Sequence, residues 1–324
     1  MKVDAYIGES LYYLPANKVT NHDLERAGVY SSQKISEKIG VESRYVAGQD
    51  EFVSDMAVAV GLAFFEKYQL QREIIDTLIL CTQSPDYLIP GPEYSIHQRL
   101  DLESDCKVIS FNSGCSGFIY GLEIASSFIQ SGKSKNILLI TAETYSKHLS
   151  ISDVGNRSIF GDAAAATLIT AVKQPGQLKV DSLTFYTDGK GFNKIANPKS
   201  GMRGNSQGDL CGFEMQGADV YLFTISTVVE QVREFLSKNQ LSIDDIDYFI
   251  FHQASKMVLD GLQKKLKISE DKFLKYYSEI GNTVSSTIPI VINRKLAGLD
   301  LSNKKVLLCG FGVGLSVGVA LLEG

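Results

Sequence analysis

The sequence predicts an α/β protein made of two related βα halves, on three observations. First, five short apolar runs are continuous rather than alternating, at 76–81 (DTLILC), 107–111 (KVISF), 136–141 (NILLIT), 247–251 (DYFIF) and 305–309 (KVLLC). Strands of that kind are buried on both faces and need helices on each side of their sheet. Second, helices of two characters accompany them. Residues 116–130 (SGFIYGLEIASSFIQ) place apolar side chains, Phe118, Ile119, Leu122, Ala125 and Ile129 among them, around most of the circumference, which predicts a buried helix. Ser131-Gly132 closes it, glycine being suited to the left-handed residue after the last turn. From Ala254 onward Val258, Leu262 and Leu266 recur at four-residue spacing with Lys256, Lys264 and Lys265 elsewhere, which predicts a surface helix. Third, the chain resembles itself. IDTLILCTQSP from Ile75 matches IDYFIFHQASK from Ile246, NILLITAE from Asn136 matches KVLLCGFG from Lys305, and GDAAAATLI from Gly161 matches GLSVGVALL from Gly314. The first two offsets are roughly 170 residues and the third is somewhat shorter, a difference that loop insertions absorb cheaply. A duplicated βα unit is therefore expected, with residues 1–172 as one half, 173–324 as the other and a boundary near Lys173-Gln174-Pro175-Gly176.

Composition is that of a packed globular chain, with 324 residues, 44% of them hydrophobic and 21% charged. A formal charge of -5 and a pI near 5.5, without any lysine or arginine run, argue against nucleic acid as a partner. No apolar stretch approaches the roughly 18 residues of a membrane span, and the start lacks a basic segment followed by an apolar one. A cytoplasmic chain without a membrane partner is expected. The five cysteines, Cys81, Cys106, Cys115, Cys211 and Cys309, are odd in number and never spaced as CxxC, which speaks against a disulfide frame or a zinc site. Neither a metal nor a cofactor is expected.

Cys115 is the leading nucleophile. It sits in Phe111-Asn112-Ser113-Gly114-Cys115-Ser116-Gly117, between an apolar strand and a buried helix, with glycine on both sides to permit a sharp turn. A thiol at a helix N-terminus meets the positive end of the macrodipole and free N–H groups, which favour the thiolate and can bind an oxyanion. The other four cysteines read as non-catalytic. His252 follows the strand 247–251 and so lies at the C-terminal edge of a sheet, where ligands of open α/β sheets bind. Asn282, in Gly281-Asn282-Thr283-Val284-Ser285-Ser286, occupies the second-half counterpart of the Cys115 turn. His22, His97 and His148 have polar surroundings and read as surface residues.

Taken together, GCSGFIYGLEIA around Cys115, IFGDAAAATLI from Ile159, FHQASKMV around His252, IGNTVSSTIP around Asn282 and GFGVGLSVGVALLE from Gly310 resemble the condensing enzymes of the thiolase superfamily, most closely the 3-oxoacyl-acyl-carrier-protein synthase III family. The motifs stand in family order across nearly the whole chain, and YIGESLYYLPANKVTN, IGVESRYVA and SPDYLIPGPE agree with it. The resemblance implies a thiolase-like fold, two duplicated halves packed as a five-layer αβαβα sandwich. It implies a cysteine that takes an acyl group from a primer thioester, acyl-CoA or acyl carrier protein, and passes it to the carbanion left when malonyl-acyl carrier protein loses carbon dioxide. Cys115, His252 and Asn282 would form the triad, His252 and Asn282 donating hydrogen bonds to the malonyl thioester oxygen. The N–H groups of Cys115 and Val313, in the loop Phe311-Gly312-Val313-Gly314, would hold the oxyanion of acyl transfer, and Phe311 would shield the site from water. Ile89 falls where the family caps the neighbouring subunit's acyl pocket, which implies a homodimer.

Departures from the family pattern cluster at the tunnel mouth. The family stacks the coenzyme A adenine between a tryptophan and an arginine, yet this chain has no tryptophan. Lys34 stands about where the tryptophan would be, Lys38 where a nearby arginine would be, and the partner arginine is replaced by Val154, with Arg157 three residues later. Met257 replaces an arginine thought to meet the carrier protein, while Lys256, Lys264 and Lys265 keep that helix basic; Ser255 replaces an asparagine, and Gly312-Val313 stands where two glycines are usual. These breaks fit a specialised relative as well as the initiator of fatty acid synthesis. Two rivals share the fold: an acyltransferase that passes the acyl group to an oxygen or nitrogen nucleophile, and a non-catalytic partner subunit. A thiolase is disfavoured, because IGNTVSS stands where that family has Gly-His-Pro.

Overall fold

The structure, a computed structural model, describes residues 3–26, 31–204 and 211–324. Its strands in chain order are β1 (Tyr6–Tyr13), β2 (Asn17–Thr20), β3 (Ser43–Val46), β4 (Thr77–Cys81), β5 (Lys107–Phe111), β6 (Asn136–Glu143), β7 (Ala163–Thr170), β8 (Leu178–Thr187), β9 (Ile195–Ala196), β10 (Glu214–Met215), β11 (Tyr248–Phe251), β12 (Phe273–Leu274), β13 (Lys305–Gly312) and β14 (Ser316–Glu323). Ten of them form one sheet in the order β12-β11-β13-β14-β8-β1-β7-β6-β4-β5, and β2-β3 and β9-β10 are small separate pairs.

The order contains the repeat. β4 runs parallel to β5 and β6, β7 is antiparallel to β6, and β1 closes that half antiparallel to β7. In the other half β11 runs parallel to β12 and β13, β14 is antiparallel to β13, and β8 closes antiparallel to β14. The matched sequence segments are thus the strand pairs β4/β11, β6/β13 and β7/β14. Among the described residues the ladder that joins the halves edge to edge is short, pairing Tyr6 with Lys179 and Ile7 with Leu178, beside a Val180 N–H that donates to Ala5 O at 2.8 Å.

Alternation along each strand sorts the side chains into layers. Leu78 and Leu80 of β4 pack with Val60 and Phe64 of the helix Val53–Tyr68, whereas Ile79 faces Phe118 and Leu122 of the helix Gly117–Gln130. Across that central helix lie Val306 and Leu308 of β13, with Ile288 and Val291 of the helix Thr287–Val291. Leu307 and Cys309 face outward against Phe235 of the helix Val229–Lys238 and Leu262 of the helix Lys256–Leu266. Helix, sheet, helix, sheet, helix is the five-layer sandwich. The central helix is buried along its length and ends at Gly132, whose φ is +71°, and the helix Lys256–Leu266 buries Val258, Leu262 and Leu266 while its lysines stay outside. Full burial of each such leucine or phenylalanine stabilises by about 1.5–3 kcal/mol.

One strand departs from expectation. β5 is not covered on both faces: it is the last strand of its half, with Lys107 and Ser110 exposed and Val108, Ile109 and Phe111 half-buried. A continuous apolar run fixes the strand but not its rank in the sheet, and rank decides burial.

Candidate active site

Cys115 stands on a single 3-10 turn, Gly114–Ser116, between β5 and the helix Gly117–Gln130. Gly114 adopts φ +49°, and a Cβ there would lie 2.5 Å from Gln83 Oε1, so the turn needs glycine. From the other half Gly312, the end of β13, closes on the same residue. With φ +152°, its Cβ would come within 2.9 Å of Cys115 Cβ and 3.1 Å of Cys115 Sγ. This approach brings the Val313 N–H onto the sulfur, beside the N–H of Cys115 itself.

The sulfur is nevertheless not a resting thiolate. Burial pushes the Cys115 thiol up to about 12, the nearby charge of Glu143 adds to the effect, and the two N–H groups oppose it without overcoming it. The expectation that the helix N-terminus favours the thiolate is therefore corrected: desolvation outweighs the dipole here.

His252 continues β11, its N–H donating to Cys309 O at 2.8 Å on the neighbouring β13. The ring packs edge-on against Phe311 with centroids 5.4 Å apart, and Nδ1 lies 2.8 Å from Thr287 Oγ1. Burial pushes its pKa down to about 3, against a hydrogen bond with the Val284 backbone that raises it, so the imidazole is neutral across the physiological range. Asn282 is held where the two halves cross: its N–H donates to Ile159 O at 2.8 Å, and its carbonyl accepts from Gly161 N–H at 3.0 Å. Asn282 Oδ1 accepts from Val284 N–H at 2.9 Å, which leaves the side-chain NH2, a donor only, for another partner.

Cys115, His252, Asn282, Phe311, Gly312 and Val313 line one cavity of about 190 Å³ with largely apolar walls. Ser255 and Met257 stand at its exposed side, and Ser255 also caps the helix Lys256–Leu266 by accepting from Val258 N–H. Tyr145 and Phe160, packed 4.9 Å apart, close the buried side. The remaining candidates stand elsewhere. Arg157 lines an adjoining cavity with Arg44 and donates to Ile151 O at 2.8 Å. Lys34 and Lys38 are exposed on the helix Ser32–Ile39, outside both cavities. Lys256 is paired with Asp260 at 2.6 Å, and Ile89 is 91% exposed on the loop after β4. None of the other four cysteines lines the site.

His22 is exposed as expected and His97 lies half-buried at the surface, with Nε2 3.0 Å from Glu103 O, but His148 is not a surface residue. It packs on Tyr145 with Nε2 3.3 Å from Gln83 O. Sequence reasoning also missed Glu143, Tyr145 and Thr287. The signal was present for the first two: Glu143 ends β6, the counterpart of β13, and Tyr145 follows it, and the C-terminal edge of a sheet is where ligands gather. Among the described residues no group of acidic, histidine and cysteine side chains could hold a metal ion, and no helix is long and apolar enough to cross a membrane.

Comparison with known proteins agrees with this geometry. A family model described as 3-oxoacyl-[acyl-carrier-protein] synthase III matches residues 109–189, and its C-terminal companion matches residues 236–323. The chain is 32% identical to the beta-ketoacyl-[acyl-carrier-protein] synthase III of Clostridium perfringens over 100% of both chains. It is 30% identical to that of Clostridium novyi over 96% of each. A crystal structure of a 3-oxoacyl-(acyl-carrier-protein) synthase III superposes with a TM-score of 0.93 at 31% identity, covering 99% of this chain and 100% of that one. On this full-length similarity, the chain belongs to the 3-oxoacyl-acyl-carrier-protein synthase III family.

Proposed function

We propose that the chain is an acyltransferase catalysing decarboxylative Claisen condensation of an acyl primer thioester with malonyl-acyl carrier protein. The observation that carries this reading is the convergence of Cys115, His252 and Asn282 on one largely apolar cavity, with the Val313 and Cys115 N–H groups at the sulfur. In the first half-reaction Cys115 Sγ bonds to the primer carbonyl, whose oxyanion is held by those two N–H groups, and the carrier sulfur leaves with the thiol proton. In the second, the bond from the malonyl methylene to its carboxylate breaks. The electron pair moves onto the thioester oxygen, held by the Asn282 NH2 and His252 Nε2–H. The resulting carbanion attacks the acyl carbon and expels Cys115 as thiolate, which regains a proton from solvent. The Thr287 hydroxyl, 2.8 Å from His252 Nδ1, donates to Val284 O at 3.1 Å; neutral His252 carries its hydrogen on Nε2 when that hydroxyl turns to donate to Nδ1 instead. Phe311 keeps water from the carbanion.

In this reading residues 1–172 form the half with the nucleophile and 173–324 the half with its partners. The chain acts in the cytoplasm as a homodimer. Two features support the dimer: the unpaired edge β5, and the exposed apolar run Tyr87, Leu88 and Ile89, of which Ile89 would reach the partner's acyl pocket. The acidic carrier protein docks on the helix Lys256–Leu266, by Met257 at the cavity mouth and by Lys256, Lys264 and Lys265 along the helix. Arg157, Lys34 and Lys38 serve a phosphorylated carrier outside it. Intact-protein mass spectrometry with a panel of acyl-CoA and acyl-carrier thioesters, alongside Cys115→Ser, tests the reading. An acyl adduct that needs Cys115 supports it, and no adduct with any thioester rejects it.

A further inference from the structure

Glu143 ends β6, is fully buried, and has no part in the chemistry above. Its Oε2 accepts from the Gln83 N–H and from Ser84 Oγ–H, each at 3.0 Å, and its Oε1 accepts from Ser285 Oγ–H at 3.1 Å. None of these partners is a cation. The titratable groups facing it, Cys81, Cys115, Tyr145 and Asp162, are all acids, so no cation pairs with it, and burial raises its carboxyl to about 7, which leaves the carboxylate the prevailing form at pH 8. A buried carboxylate without a counter-ion is costly, and its place beside a nucleophile calls for a role.

Its partners supply one. Gln83 fills the space beside Gly114 and donates from Nε2 to Asn112 Oδ1 at 2.9 Å, so it braces the nucleophile turn on two sides. Ser285 belongs to the turn Val284–Ser286, and the preceding Val284 N–H holds Asn282 Oδ1. The two turns are counterparts in the repeat, each opening on a residue of positive φ, +49° at Gly114 and +54° at Val284. One carboxylate thus grips the supports of both.

We propose that Glu143 is a positioning residue that ties the Cys115 turn of one half to the Asn282 turn of the other. Its negative charge also adds to the burial that holds Cys115 as a thiol. The inference rests on the condensing-enzyme reading for its first part only. The two parts predict opposite signs in Glu143→Gln, which keeps the shape but loses the charge and one acceptor. Alkylation of Cys115 by iodoacetamide at pH 8 becomes about three- to tenfold faster, since a tenfold change corresponds to one pKa unit. Condensation with malonyl-acyl carrier protein becomes about tenfold slower or worse, because the Asn282 turn is released. A merely structural glutamate would slow both. Glu143→Asp, which keeps the charge, alkylates at the wild-type rate. Should Glu143→Gln fail to fold, Ser285→Ala removes one hydrogen bond and leaves the charge: condensation falls severalfold and alkylation stays within about twofold. Alkylation that is unchanged or slower in Glu143→Gln overturns the electrostatic part, and undiminished condensation in Ser285→Ala overturns the positioning part. A wild-type protein that never condenses instead defeats the functional reading, and the alkylation arm still judges the charge.

Discussion

Replacing Gly312 by alanine should disable acyl transfer far more than it disturbs the fold. The added methyl would stand 2.9 Å from Cys115 Cβ and 3.1 Å from its Sγ, where carbon contacts settle at about 3.5–4.0 Å. The loop must therefore retreat from the nucleophile by roughly 0.6 Å, and the Gly312 φ of +152° is poorly tolerated once a Cβ is present. Overpacking of this kind costs about 1–3 kcal/mol of stability. The catalytic loss is larger, because the Val313 N–H rides on the same loop and losing one oxyanion donor costs about 10²–10³ in rate. The assay is the rate at which the acyl adduct appears by intact mass, with a thermal melt in parallel. Acylation about a hundredfold slower is expected, with a modest fall in Tm. Gly132→Ala is the control: its φ is +71° and nothing lies within 4 Å of the added methyl, so it loses stability and acylates normally. Acylation of Gly312→Ala within about threefold of wild type would refute the oxyanion-hole geometry argued here.

Asn282→Ala should slow malonyl decarboxylation by about 10²–10³, the cost of one lost donor, while acylation of Cys115 stays within about threefold; equal loss in both half-reactions, measured separately, would contradict the division of labour. Because the Cys115 thiol is pushed up to about 12, its alkylation rate should climb about tenfold per pH unit from pH 7 to 10 without levelling off, as followed by mass spectrometry. The same burial governs stability: Cys81, Cys115 and Cys309 are all raised above the ordinary 9.0, so above pH 9 the unfolded chain ionises and the folded one does not. Stability present below pH 9 should be lost as pH rises, and a Tm that is flat from pH 8 to 10.5 would contradict it. With His252 pushed down to about 3, the condensation rate should show no inflection near 6.5 that vanishes in His252→Ala.

Much of the fold was legible because its signals are local. A strand buried on both faces reads as an unbroken apolar run, and the repeat paired β4 with β11 and β6 with β13 before any topology was known. What failed was whatever depends on distant residues. The exposure of β5 comes from its place at the end of its half. The acidity of Cys115 depends on Glu143, 28 residues on (143 less 115), and on a desolvation that only packing creates. The site residues differ in how much the chain says about their place. Cys115, His252 and Asn282 stand at strand ends or counterpart turns, where their neighbours announce them. Arg157, Lys34, Lys38 and Lys256 project from loops and helix surfaces, and there spacing along the chain says little about which cavity a long side chain reaches. Thr287 had no signal at all, since only the fold brings its hydroxyl to His252 Nδ1.

The central claim is that the acyl group on Cys115 is passed to a carbanion made by decarboxylation. It is tested most directly by isolating the acyl-enzyme, adding malonyl-acyl carrier protein in a single turnover, and measuring carbon dioxide together with the acyl product. The account predicts one carbon dioxide and one 3-oxoacyl-acyl carrier protein for each acyl group lost from Cys115. Loss of the acyl group to water or to an oxygen or nitrogen nucleophile, with no carbon dioxide released, would contradict it.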